Sequence, residues 1–273
     1  MNKKYIYIGA VITLLLLAGL AIWLFQPFFG KKSVQQPTST KAKKTITVNT
    51  LAIEERPYIT FIPKSKIEPK SQGHWITFIV DNTGKFKQLE YEFEYTTGSM
   101  IQGGLGRIDF SKERPPVSKE IAFGSESKGK YKYDEGVYTG QFTFTFSNGE
   151  DAALRTDFNL QNAGENNGIF YPPDAKVKLE TGKDLKSGDY LIIASTLGLP
   201  EPVNKKVIAG PYGFYADSSR SLSSSTITFE EAGENAQILF WNGKKYQELT
   251  TKVNGGKATA SVNSLGTFVL TVK

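Results

Sequence analysis

Two stretches alternate large apolar and polar residues without a break: residues 89–95 (LEYEFEY) and 141–146 (QFTFTF). A period of two places every second side chain on one face of an extended strand. Leu89, Tyr91, Phe93 and Tyr95 then share one face against Glu90, Glu92 and Glu94, and Phe142, Phe144 and Phe146 point inward together. Residues 75–80 (WITFIV) are apolar on both faces, as in a strand buried from two sides, and Asp81-Asn82-Thr83-Gly84 turns the chain after it. No stretch after residue 45 carries a helical period. With 18 Phe and 13 Tyr the chain has the bulk to build a core, which excludes a disordered polypeptide. The expected fold class is all-β: two tandem antiparallel β-sandwich domains, residues 46–156 and 157–273.

Ahead of them, residues 5–25 (YIYIGAVITLLLLAGLAIWLF) hold no charge. At about 1.5 Å per residue this run spans roughly 31 Å, the depth of a bilayer core. Tyr5 and Trp23 sit near its ends, where amphipathic rings favour the interface. Residues 26–30 (QPFFG) are bulky where a cleavage site needs small side chains, so the run reads as an uncleaved signal anchor. Residues 33–45 (SVQQPTSTKAKKT) are polar and aperiodic and complete a flexible stalk over 26–45; fully extended they reach about 43 Å. Lysines flank the run on both sides, so the positive-inside count does not set its orientation. The doubly basic tail, residues 1–4, is expected to stay in the cytoplasm. Long domains translocate largely regardless of charge, which puts the β domains outside the cell membrane.

The net charge of +6 sits mostly near the anchor. Lys3 and Lys4 precede it, and residues 31–70 hold nine basic residues against Glu54, Glu55 and Glu68. Residues 73–273 carry 22 basic and 24 acidic residues, a net −2. Nucleic-acid binding calls for a basic stripe on a folded face, and none is legible. The flanking lysines suit anionic headgroups or a solvated tether.

The chemistry available is narrow. With no Cys, thiolate catalysis, disulfides and zinc–cysteine sites are excluded. The lone His74 stands at the entry to a strand, a structural place, and no G-x-S-x-G elbow accompanies it. Gly103-Gly104-Leu105-Gly106 lacks the Lys and Ser/Thr of a phosphate loop. The glutamate row on 89–95 is material for a cation site, but reads as a solvated face opposite lysines on a neighbouring strand, and not as a pair of glycosidase carboxylates across a cleft; 128–133 (KGKYKY) carries a lysine row of its own. Residues 157–168 (DFNLQNAGENNG) read as a polar link between the halves. Asp157, Asn159, Asn162 and Glu165 supply oxygen ligands there, the material for calcium, at a spacing that does not fit an EF-hand loop. No catalytic residue and no cofactor are expected.

In the last hundred residues, 226–229 (TITF), 238–241 (ILFW) and 268–272 read as strands. Asn242-Gly243 marks a hairpin and Asn254-Gly255-Gly256 a second turn, giving an antiparallel meander. Residues 160–273 resemble the ZU-five domain family of netrin receptors, ankyrins and microbial surface proteins. The likeness rests on 171–175 (YPPDA), on 210–215 (GPYGFY) followed by TITF as a strand pair, on 238–249 (ILFWNGKKYQEL) and on 262–270 (VNSLGTFVL). Some relatives cut themselves at a His-Phe-Ser step. The matching positions here are Ser264, Leu265 and Gly266, so the resemblance implies a form without self-cleavage, for want of a hydroxyl nucleophile. Residues 46–156 resemble generic immunoglobulin-like sandwiches of bacterial surface proteins, without the Cys–Trp–Cys core of antibody domains.

An anchor, a stalk and paired β domains without catalytic residues lead to the expectation of a non-catalytic surface protein for adhesion or envelope organisation. Its expected partners are the lipid bilayer and a protein or glycan ligand. The alternatives are an accessory subunit of a surface or secretion assembly and, further off, a carbohydrate-active protein.

Overall fold

Strand follows strand through the computed structural model, which describes residues 47–217 and 221–273. The expected tail at 1–4, anchor at 5–25 and stalk at 26–45 lie outside the described residues. Among the described residues no helix is long and apolar enough to cross a membrane. Residues 46–273 form one unit, all-β apart from a single 3-10 turn at Ile53–Glu55.

Its spine is a nine-stranded antiparallel sheet. Four strands come from residues 88–162: β3 (Gln88–Thr97), β4 (Met100–Asp109), β8 (Val137–Ser147) and β9 (Asp151–Asn162); β12 (Tyr190–Ser195) lies at the centre. Four more come from residues 207–272: β13 (Val207–Ala216), β15 (Ala236–Trp241), β16 (Tyr246–Glu248) and β19 (Gly266–Val272). The order is β16-β15-β19-β13-β12-β9-β8-β3-β4. Three smaller sheets complete the unit: β1 (Tyr58–Ile62), β2 (Trp75–Asp81) and β5 (Val117–Ala122); β10 (Ile169–Phe170), β11 (Val177–Glu180), β14 (Ser221–Phe229), β18 (Lys257–Ser264) and β17 (Lys252–Asn254); and the hairpin β6 (Gly124–Ser127) with β7 (Lys130–Tyr133).

Two main cores form on opposite faces of the spine, and β12 shows how. Ile192 and Ala194 join one core; Leu191 and Ile193 join the other. Alternate side chains of a strand point to opposite faces, and YLIIAS is apolar on both. The first core lies under the β1-β2-β5 sheet. It takes Phe61 and Phe78 from that sheet and Leu89, Phe142, Phe144, Phe146, Phe158 and Leu160 from the spine. The second lies under the β11-β14-β18 sheet, around Phe170, Phe214, Phe229, Phe240 and Phe268. Opposite it, Leu199, Leu239 and Val269 make a small third cluster. The 156/157 step falls inside β9.

Several expected elements sit elsewhere. Residues 157–162 belong to β9, not to a linker: Phe158 and Leu160 supply the apolar half of an alternation in whose polar half Asn159 and Gln161 are also buried. The C-terminal strands are not a meander, because β17 and β18 leave for the five-stranded sheet before β19 returns to the spine. Nor do GPYGFY and TITF pair: β13 lies between β12 and β19, β14 between β11 and β18. The Asn242-Gly243 hairpin closes with Trp241 opposite Tyr246, a four-residue loop in which Asn242 Oδ1 accepts from the N–H groups of Lys244 and Lys245, both at 3.0 Å. The tight turn is the other one. Asn254 faces Lys257 across Gly255-Gly256, whose φ values of 56° and 76° are what a two-residue type I′ turn requires.

Candidate binding groove

On the face of the spine that carries the first core, β1 crosses the end of β12, its Ile59 N–H donating to the carbonyls of Thr196 (2.9 Å) and Leu197 (3.1 Å). Beyond that crossing the spine is only partly covered, and a groove of ≈ 380 Å³ opens. Tyr58, Thr60 and Asp81 form one wall; Tyr215, Trp241 and Thr267 form the floor and far side. Alternation explains the floor. Phe214, Phe240 and Phe268 face the second core, so their neighbours Tyr215, Trp241 and Thr267 face the groove. Pro200 completes the rim, held where Asn82 Nδ2 donates to its carbonyl at 2.8 Å.

The deep end is a triad of hydroxyls. Tyr58 Oη lies 3.4 Å from Tyr215 Oη and 3.0 Å from Thr267 Oγ1, and Tyr215 and Thr267 also bond to each other. Burial pushes both tyrosine hydroxyls above the ordinary phenol range, Tyr215 most, so all three stay protonated. Three contacts among three hydroxyls can use all three hydrogens, leaving only acceptor lone pairs over; Thr267 itself is fully buried. Asp81 Oδ1 accepts from the Asn82 N–H at 2.8 Å, and its Oδ2 has no partner among the described residues. Trp241 is half-buried, with Tyr246 edge-on behind it (5.2 Å, 63°). The Tyr246 hydroxyl is buried without a hydrogen-bond partner, and burial raises its pKa too.

The residues singled out from the sequence lie away from this groove. Asp157 and Asn159 share one face of β9 while Asn162 turns to the other, and each has one polar atom engaged. Asp157 Oδ1 accepts from Gln141 Nε2 (2.6 Å), Asn159 Nδ2 donates to the Tyr171 carbonyl (2.9 Å), and Asn162 Oδ1 accepts from the Gly164 N–H (2.7 Å). Glu165 follows in the turn, its N–H bonded to the Asn162 carbonyl. The four do not converge on one point. Among the described residues no three His, Asp or Glu groups gather as a metal site.

The glutamate row is solvent-facing as expected, but its neighbours are not lysines. Glu90, Glu92 and Glu94 stand opposite Arg107, Leu105 and Gly103 of β4 and Thr145, Thr143 and Gln141 of β8. The lysines of β7 belong to a separate hairpin. The glycine run lies in β4, where it makes room: a Cβ on Gly104 would stand 2.8 Å from the Phe93 ring, and one on Gly103 2.2 Å from the Phe93 carbonyl oxygen. The edge left by β4 carries Ile101 and Leu105, 74% and 80% exposed. His74 stacks on Tyr133 (4.7 Å, 16°), its Nδ1 buried without a partner.

Sequence reasoning missed the groove because its residues come from 58, 81, 215, 241 and 267, with no local spacing to betray them. Only the partly exposed Trp241, beside a turn, was a signal in itself. Gly266, on the groove floor, is packed tight: a Cβ there would stand 2.6 Å from the Phe240 ring and 2.7 Å from the Trp241 carbonyl oxygen.

Comparison with known proteins brings little to this arrangement. No family model matches the chain, and no solved structure matches it. One curated relative is similar over 162 residues at 25% identity, the tRNA-specific 2-thiouridylase MnmA of Petrotoga mobilis. The match takes in 59% of this chain and 43% of that enzyme, so the chain spans well under half of the relative's length.

Proposed function

We propose that this chain is a non-catalytic, single-pass membrane protein that displays residues 46–273 outside the cell for adhesion or envelope organisation. The observation that carries the reading is the uncharged run at 5–25, long enough for a bilayer, followed by a polar stalk and an all-β unit. On this reading the spine and its two cores are two sandwiches fused through β12, the second of ZU-five type.

The chemistry of the folded unit agrees with a binding role. Its clearly shifted carboxylates, Asp109 and Asp184, are pulled down by hydrogen bonds from serines, whereas an acid catalyst needs a carboxylate pushed up. A tRNA-directed role, as in the enzyme with the partial likeness, calls for a basic face; residues 73–273 carry a net −2.

Protease added to intact cells tests the placement. The expected result is loss of a C-terminal epitope from whole cells, with a membrane-bound stub of the anchor left behind. An epitope that survives until the cells are lysed overturns the reading.

A further inference from the structure

We propose that the groove between β1 and the β13-β19-β15 part of the spine is a binding site for an uncharged saccharide. The inference takes its biological setting from the surface reading above and its chemistry from the groove alone.

A pyranose has two kinds of surface. Its axial C–H groups make an apolar face, and its equatorial hydroxyls make a polar belt rich in donors. The groove offers the complement of both. Trp241 presents a ring, braced from behind by Tyr246, against which an apolar face can lie. Tyr58 adds a second ring on the opposite wall. Between them the polar groups are mostly acceptors. The Tyr58–Tyr215–Thr267 triad can consume its own hydrogens, and with Thr267 fully buried it is the partly exposed Tyr58 hydroxyl that is left as an acceptor. Asp81 Oδ2 is a further acceptor. The Asn242 amide is oriented by the two backbone N–H groups on its oxygen, which leaves its NH₂ as a donor at the mouth.

Charge narrows the class. An anion would meet the Asp81 carboxylate and the lone pairs of the triad. A cation would find an aromatic ring and one carboxylate, but Lys244 and Lys245 stand on the turn that carries Asn242 and Gly243 of the rim. A neutral polyol meets neither repulsion. The volume of ≈ 380 Å³ lies at the lower end of small-molecule sites.

The test uses the full chain in detergent micelles, titrated with methyl β-D-glucoside, methyl β-D-galactoside and methyl N-acetyl-β-D-glucosaminide and followed by saturation-transfer NMR. The expected result is saturable binding of at least one glycoside, weakened about tenfold or more by Trp241→Ala and by Asp81→Asn. Asp81→Asn keeps the shape of the wall, and thermal melts show that both variants are folded. Three outcomes overturn the proposal: none of the glycosides binds at millimolar concentration, binding is unaffected in both folded variants, or benzyltrimethylammonium binds the groove in preference to all three. Protease treatment of intact cells is independent of all this. Stripping of the epitope with no sugar binding sinks the groove alone; sugar binding with a protected epitope sinks the placement alone.

Discussion

Asp184 shows how much one partly exposed side chain can organise. It sits in the loop after β11, and its carboxylate accepts from the Ser223 N–H (2.7 Å), the Ser223 hydroxyl (2.6 Å), the Ser224 N–H (3.1 Å) and the Ser225 hydroxyl (3.0 Å). These bonds favour the charged form and hold its pKa down to about 2, Ser223 contributing most. A depressed carboxylate pKa stabilises the fold above the group's ordinary value, and that contribution is lost as pH falls through the folded value. The melting temperature is therefore expected to drop between about pH 4 and pH 2 by more in the native chain than in Asp184→Asn. Equal acid limbs in calorimetry would refute the clip. At this scale the sequence was readable for the core and opaque for the clip. The alternation names Phe142, Phe144 and Phe146 as buried and all three are fully so, whereas nothing in TGKDLKSG or SLSSS says that the two segments meet.

Strand β9 is the element that the sequence misrepresents. Its polar residues suggest a linker because Asn and Gln are usually exposed. Here Asn159 and Gln161 are 3% and 0% exposed, and they fasten the chain that opens the second half. Gln161 Oε1 accepts from the Tyr171 N–H at 3.2 Å, its Nε2 donates to Tyr138 Oη at 2.6 Å, and Asn159 holds the Tyr171 carbonyl. Removing one partner of a buried pair leaves the other unsatisfied. Gln161→Ala is expected to cost about 1–3 kcal/mol in urea unfolding; a change within error would mean that water replaces the amide. By contrast β3, β8 and the β17–β18 turn are legible, because their signals are local: a period of two, and two glycines where both residues need positive φ. The Asn242-Gly243 signal is local as well, yet Asn242 spends its side chain on the backbone of Lys244 and Lys245, which widens the loop to four residues.

Over the whole molecule, the two main cores have separate residue lists and one shared strand. Melting either core strips one face of β12 and frees the edge of its neighbour, so both are expected to unfold together. Trp75 belongs to the first-core side and Trp241 to the far end of the spine. In the full chain, a variant keeping Trp23 and only one of these two tryptophans should show the same urea midpoint by tryptophan fluorescence and by far-UV circular dichroism. Fluorescence and circular-dichroism midpoints that separate within one variant would show two independent folding units. Long-range sharing of this kind is what a sequence hides best. It hides the groove for the same reason, since Tyr58 and Thr267 meet across 209 positions.

That common strand also limits how such a protein can be shortened or recombined. A gene fragment ending before residue 190 would leave β9 with its Tyr190–Ala194 partner missing and the roof of Phe158 and Leu160 open. A fragment starting after 195 would strip Phe214 and Phe268 of the neighbours that Leu191 and Ile193 provide. Either piece would be sticky and short-lived in a cell, so exchange between kindred genes should carry the β unit over as one indivisible cassette.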